Sequence, residues 1–259
     1  MIRVGTTAPR SRGRAGSRRP GAIAEAAQPP RRRLVFFFDL DDTLHDASHA
    51  IFRQIDTRMT DYVERHLEVD RGEANRLRTL YWHRYGATLL GLVRHHAVDA
   101  AHFLRETHDF DVAALVRAER GLTRLFARLP GRKVLLTNAP MAYASEVLRA
   151  LAVHRHFGSR YTIEKMRLHG TFRPKPSRMM LRAMLARERV PASQAVLVED
   201  STSNLKAARA IGFRTVLMTG HGARTAAGCG CTPRRRVARA GLVIRSLHQL
   251  PQGLERLRR

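Results

Sequence analysis

The stretch Asp39-Leu40-Asp41-Asp42-Thr43-Leu44 follows immediately on an apolar run, Leu34-Val35-Phe36-Phe37-Phe38. A run with no polar interruption reads as a strand buried on both faces. Asp39 and Asp41 then stand just past its end, on the same side of the crevice there. Farther along, Thr137-Asn138 closes a second apolar run, Glu199-Asp200 closes another, and Lys175 stands in Arg173-Pro174-Lys175-Pro176 just ahead of a helical pattern. Adjacent carboxylates at a sheet edge are costly unless a cation or another partner compensates them. The chemistry within reach of such a set is cation-assisted work on an anion.

Each piece also has an ordinary reading. Asp39–Asp42 could be an Asp-rich turn or a helix N-cap, and Thr137-Asn138 a turn. Lys175 could be a solvated loop lysine and Glu199-Asp200 an acidic helix start. These readings explain the pieces singly, not their common place at one edge of one sheet.

Positioning the set requires strands that end together. Further apolar runs at 133–137, 195–198, 215–218 and 242–244, with a weaker one at 160–163, predict those strands. Apolar spacings of three and four predict helices over 142–153, 177–189 and 204–211. Pro176 suits the first turn of the second, and Gly212 closes the third. Strands alternating with helices predict an α/β fold with a doubly wound, Rossmann-like parallel sheet. The long interval before residue 133 carries only helical periodicity, at 50–67, 73–85, 88–95, 100–107 and 112–129. In an open α/β sheet the ligand crevice lies beyond the carboxyl ends of the strands. A helical insertion directly after the first strand emerges at that crevice, and so reads as a small all-helical cap domain. The expected division is a leader at 1–33, a cap at 45–118, and a catalytic core made of 34–44 with 119–259.

Taken in order, the motifs DLDDTL, LLTN, the lysine of RPKP and VEDSTSN resemble those of the haloacid dehalogenase superfamily, over residues 34 to about 250. The insertion after the first motif is similar to the first cap type of that superfamily. Within it, Tyr85-Gly86-Ala87-Thr88-Leu89-Leu90-Gly91-Leu92 is similar to a stretch of the pyrimidine 5′-nucleotidase-like members. The resemblance implies that Asp39 is a nucleophile forming an aspartyl-phosphate and that Asp41 is the general acid and base. It implies that Thr137 and Asn138 bind phosphoryl oxygens, and that Lys175 holds nucleophile and phosphate together. It also implies a Mg2+ ion on the Asp39 carboxylate, the Asp41 backbone carbonyl and the Asp200 carboxylate, with Glu199 as a possible further ligand. The physics agrees with the need. A carboxylate and a phosphate about 4 Å apart repel by roughly 4 kcal/mol per unit-charge pair at an effective dielectric of 20. A divalent cation and a lysine can cancel that.

Dehalogenases of the superfamily lack the counterpart of Asp41, so the resemblance favours phosphoryl transfer. The implied substrate is a nucleoside monophosphate. Phosphoglycolate, a sugar phosphate or a phosphomutase reaction are the alternatives on the same motifs. His45, Trp82, Tyr85 and Thr88 are candidates for touching a base or sugar, although a lone Trp or Tyr on a helix is more often core. The histidines, among them His95, His96, His154 and His156, lack the spacing of metal ligands and read as ordinary surface or core residues.

Composition bounds the remainder. With 259 residues, 44% of them hydrophobic, the chain can bury a sizeable core, which excludes wholesale disorder. No apolar stretch approaches the ~18 residues of a membrane span. Cys229 and Cys231 make neither a disulfide framework nor a zinc pattern, and a reducing cytoplasm is the natural setting. The formal charge is +25, yet only four of the 47 basic residues are lysine. Arginine in nearly every basic position, in all segments, reads as a coding bias rather than a nucleic-acid surface. A basic nucleic-acid-binding protein on the same scaffold is the alternative from another class. Residues 1–33 carry nine arginines against Glu25 and predict a disordered leader, open between a targeting segment, an over-extended start and a loose basic arm. The expected partner is a small phosphate ester, with no membrane. No motif speaks to the oligomeric state.

Overall fold

A computed structural model describes residues 33–221 and 241–258. The expectations for the leader up to residue 32 and for Cys229 and Cys231 lie outside them. The strands are β1 (Val35–Phe38), β2 (Arg132–Leu136), β3 (Phe157–Tyr161), β4 (Arg167–Leu168), β5 (Thr171–Phe172), β6 (Ala195–Glu199), β7 (Arg214–Met218) and β8 (Leu242–Ile244). Six of them form one sheet in the order β3-β2-β1-β6-β7-β8. Every pairing in it is parallel. β4 and β5 form a separate antiparallel ribbon.

The pleat explains the run of phenylalanines. Phe36 and Phe38 join an apolar cluster on one face with Leu135, Val196, Val198 and Val216. Val35 and Phe37 join another cluster on the opposite face with Val134, Leu136, Ala195 and Leu197. Burying each Phe contributes about 2 kcal/mol. Helices cover both faces: α5 (Leu122–Arg128), α6 (Met141–Ala150) and α9 (Leu254–Arg258) on the first, α7 (Arg178–Glu188) and α8 (Thr202–Arg209) on the second. This is the doubly wound sheet that the alternating pattern predicts.

Three local expectations differ. The strand expected at 160–163 runs Phe157–Tyr161; it is an edge strand with a half-exposed middle, so it lacks the continuous apolar run. The helix expected over 112–129 is confined to Leu122–Arg128. Gly121 before it has φ +79°, and the preceding segment spends its polar groups on tertiary bonds. The Arg117 carbonyl accepts from Asp46 N–H, and the Glu119 carboxylate accepts from Ser246 Oγ at 2.6 Å and from Leu247 N–H at 3.2 Å. Pro176 lies before the helix rather than in its first turn, because Ser177 is the N-cap and accepts from Met180 N–H at 3.3 Å.

Between β1 and β2 stand only helices and turns: α1 (Ile51–Leu67), α2 (Arg71–Tyr85), α3 (Thr88–His96), α4 (Ala100–Thr107) and then α5. Asp70 and Asp99 cap α2 and α4 by accepting from Glu73 N–H and His102 N–H. The first four helices have their own apolar cluster, with Tyr62, Val63, Leu77, Tyr81, Leu92 and Phe103, joined by Ile163 from the core. Gly91 makes their packing possible: a Cβ there would sit 2.0 Å from the Tyr81 ring. This is the small helical cap on the α/β core.

Candidate active site

Strand order reverses at β1, which lies between β2 and β6, and this switch point opens the crevice of an α/β sheet. Phe38 pairs with Val198 and with Leu135, so the residue after β1 is level with the end of β6. Asp39 is therefore placed beside Glu199, its own N–H donating to the Val198 carbonyl at 3.0 Å.

Lys175 enters this corner from the loop before α7. Its Nζ lies 2.7 Å from Asp39 Oδ1 and 2.8 Å from Glu199 Oε2, and all three side chains are buried. Leu40 N–H donates to the same Asp39 Oδ1 at 2.7 Å. The carboxylates of Asp39, Glu199 and Asp200 offer oxygens within 4.8 Å of one another. Three carboxylates and one ammonium leave a formal −2 in a low-dielectric corner. Burial and the Glu199 charge push Asp39 well above the usual carboxylate range, against the pull of Lys175. Burial likewise raises Glu199, and burial together with Asp39 pushes Asp200 up to about 7. For Lys175 burial opposes the charge, but Asp39 and Glu199 outweigh it and hold the ammonium form. An all-oxygen donor set with a deficit of two positive charges fits a hard divalent cation such as Mg2+.

Asp41 has different surroundings. Its Oδ1 accepts from Tyr143 Oη at 2.5 Å and from His45 Nε2 at 3.0 Å. Burial opposes the Asp41 charge, yet the bonds from His45 and Tyr143 bring it below its ordinary value. Asp42, at φ +55°, turns the other way and accepts from Ser48 N–H and Oγ. Behind Tyr143, the ring of His108 stands 5.5 Å away, its burial lowering that imidazole to about 4.

Of the expected phosphoryl contacts, Thr137 is buried and its Oγ1 accepts from Ala139 N–H at 3.0 Å. Asn138 uses its amide to lock the lysine loop, donating to the Lys175 carbonyl at 3.1 Å and accepting from Lys175 N–H at 2.9 Å. The chain thus brings Asp39, Asp41, Thr137, Asn138, Lys175, Glu199 and Asp200 to one edge. The cap candidates divide. Thr88 spends its hydroxyl on the Arg78 carbonyl, and Tyr85 Oη pairs with His95 Nε2 at 2.6 Å. Trp82 is 57% exposed and so does not belong to the core. His45 is fully buried against Asp41 rather than turned to a substrate. Gly86 reaches the site: a Cβ on it would meet the Lys175 carbonyl at 3.8 Å.

Tyr143 lies outside the motifs that mark the other site residues. Its signal is a polar aromatic in the first turn of a helix that starts at the carboxyl end of a strand.

Residues 34–212 match the haloacid dehalogenase-like hydrolase family. Phosphate metabolism protein 8 of Saccharomyces cerevisiae (strain ATCC 204508 / S288c) is 32% identical over 71 residues, which span 27% of this chain and 22% of the yeast protein. Among solved structures, a HAD phosphatase from Thermococcus onnurineus is 19% identical, with 85% of this chain and 97% of that one covered and a TM-score of 0.56. A 2-haloacid dehalogenase from Pseudomonas syringae pv. Tomato DC3000 is 20% identical, with coverage of 86% and 99% and a TM-score of 0.54. The magnesium-bound HAD-type protein YfnB of Bacillus subtilis is 15% identical, with coverage of 86% and 99% and a TM-score of 0.53. Identities this low show the fold alone, and a phosphatase and a dehalogenase share it. With the family match covering the site from Asp39 to Asp200, the chain belongs to the haloacid dehalogenase-like hydrolases.

Proposed function

We propose that the protein is a Mg2+-dependent phosphatase acting on small phosphate esters through an aspartyl-phosphate, with nucleoside monophosphates as the substrate class. The observation that carries this reading is the division of labour between Asp39 and Asp41. Asp39 sits in the charged corner with Lys175, whereas Asp41 is held by hydrogen bonds from Tyr143 and His45. Two carboxylates in such different surroundings suit two roles.

In the first step an Asp39 oxygen attacks phosphorus, the new O–P bond forms as the ester P–O bond breaks, and Asp41 gives its proton to the leaving oxygen. In the second, Asp41 takes a proton from water, the water oxygen attacks phosphorus, and the aspartyl O–P bond breaks to release phosphate. The bonds from Tyr143 and His45 favour the carboxylate form of Asp41, which the second step needs. A phosphate dianion arriving nearby raises its proton affinity for the first. Both Lys175 and Leu40 N–H address Asp39 Oδ1, which orients the carboxylate. Lys175 also supplies positive charge to the transferring group, and Asn138 fixes the loop that carries it. Mg2+, bound by Asp39 and Asp200 with the Asp41 carbonyl, would neutralise phosphoryl charge. Glu199 is committed to Lys175 and to Ser201 N–H, which favours a supporting role over direct ligation.

The nucleotide reading is supported by the cap. Gly86 abuts the lysine loop, and the exposed Trp82, whose carbonyl accepts from Gly86 N–H, offers a face for a base. A phosphate-release screen over pyrimidine and purine monophosphates, sugar phosphates, phosphoglycolate and an aryl phosphate, with Mg2+ or EDTA, tests the whole proposal. The expected result is Mg2+-dependent release led by UMP or CMP. Release led by phosphoglycolate would remove the nucleotide reading, and no release from any ester would remove the phosphatase one. No helix among the described residues is long and apolar enough to cross a membrane.

A further inference from the structure

Away from the acid corner, His66 in the last turn of α1 meets His102 and Glu106 of α4 at the surface of the cap. One ligand atom from each lies within 4.8 Å of those from the other two. His102 and Glu106 are four residues apart on one helix, with Nε2 2.8 Å from Oε1. The two imidazoles meet edge to face at 5.2 Å. One buried residue orients both rings. The Tyr62 carbonyl accepts from His66 Nδ1 at 3.0 Å, and the Tyr62 hydroxyl lies 3.1 Å from His102 Nδ1. The Tyr62 ring also stacks on His66 at 3.8 Å. With Nδ1 engaged on each ring, Nε2 is the nitrogen left to a ligand. Histidines that bind metals are held in this way, by a partner on the other ring nitrogen.

The geometry points to a second metal site, for a borderline first-row cation of the Zn2+ class, held by His66, His102 and Glu106. Two imidazoles and a carboxylate suit Zn2+ and its neighbours, whereas Mg2+ prefers oxygen donors alone. A tetrahedron with bonds of about 2.1 Å has edges of roughly 3.4 Å, so His102 Nε2 and Glu106 Oε1, 2.8 Å apart, open slightly to admit the ion. The ion displaces the proton shared by His102 and Glu106, ties α1 to α4, and leaves a fourth position to water. Arg65, 2.7 Å from Glu106 Oε2, competes for that carboxylate. The site uses cap residues alone and is independent of the phosphatase reading.

Co2+ is the probe, added to the full chain carrying Asp200→Asn so that the acid corner is weakened. The expected result is one tightly bound Co2+ with the visible d–d absorption of a tetrahedral nitrogen–oxygen site, displaced by Zn2+ and not by excess Mg2+. His66→Ala and Glu106→Gln should each abolish the band and weaken Zn2+ binding at least tenfold. Tyr62→Phe keeps the stacked ring, loses the hydroxyl, and should cost about tenfold in affinity. Arg65→Ala should tighten binding. Circular dichroism of the metal-free variants separates loss of the site from loss of the fold, and Glu106→Gln, at the surface, serves if His66→Ala unfolds. No visible band in the Asp200→Asn parent, or an unchanged band in folded Glu106→Gln, would overturn the site.

Discussion

Tyr143 donates its hydroxyl to Asp41 Oδ1 at 2.5 Å, across 102 residues of sequence. Burial and the Asp41 charge push the Tyr143 phenol well above its usual range, so it stays a neutral donor at any working pH. Tyr143→Phe keeps the ring in its apolar cluster and removes this bond alone. A hydrogen bond to a charged group contributes about 1.5–3 kcal/mol. The variant should lose roughly ten- to a hundredfold in kcat on an aryl phosphate, with KM little changed. Steady-state kinetics beside a melting curve will show it, and an unaltered kcat would remove Tyr143 from the mechanism.

Asp39→Asn should abolish turnover while keeping the fold. Removing one of three crowded carboxylates should also leave the Mg2+-free protein as stable as the parent, or more so, since functional sites store strain of this kind. Phosphate release and thermal midpoint, measured in EDTA and in Mg2+, check both halves. Retained hydrolysis would sink Asp39 as the nucleophile.

The acid corner makes stability depend on pH. Asp200 is raised to about 7 in the folded state, so between about pH 4 and 7 the native protein holds a proton the unfolded chain has lost. Its contribution to stability therefore falls as pH rises through that window. His108, lowered to about 4, works the other way, because there the unfolded chain binds the proton. Comparing the parent with Asp200→Asn cancels the histidine. Without metal, the parent should lose stability relative to the variant between pH 4 and 7, on the order of a few kcal/mol, and Mg2+ should reverse the loss. Parallel melting-temperature profiles for the two proteins would refute this.

Lys175→Met removes the charge but keeps the length of the side chain. Glu199, with no solvent exposure, then has no cation, and breaking a buried pair in this way costs about 3–5 kcal/mol. Chemical denaturation at neutral pH should show that loss. Part of it should return as pH falls, because the raised Asp39 and Glu199 take up protons before ordinary carboxyls do and a neutral carboxyl needs no partner. A loss independent of pH would mean that packing, not charge, dominates.

Trp82→Ala tests the cap. Stacking of a base on an aromatic ring is worth about 1–3 kcal/mol. The variant should lose roughly five- to a hundredfold in kcat/KM for a pyrimidine monophosphate, and nothing for a small aliphatic phosphate ester. Equal effects on the two substrates would exclude base recognition by Trp82.

The strands, the cap and the acid pairs are legible in the chain because each is a local pattern. Phe36-Phe37-Phe38 needs burial on both faces, and Asp39 and Glu199 stand at the ends of such runs, so their edge of the sheet follows from connectivity. What no local pattern carries is which polar group answers which. The helix expected over 112–129 is confined to Leu122–Arg128 because, ahead of it, Glu119 has its partners at Ser246 and Leu247, more than a hundred residues away. His45, a candidate for touching a base or sugar, is buried against Asp41, and Asn138 spends its amide on the Lys175 backbone. Tyr143 and Asp41, or His66 and His102, become neighbours only when helices pack. Hydrophobic periodicity determines which elements form and how they stack. The pairing of buried polar groups depends on ångström distances between segments remote in sequence, and only the tertiary structure decides those.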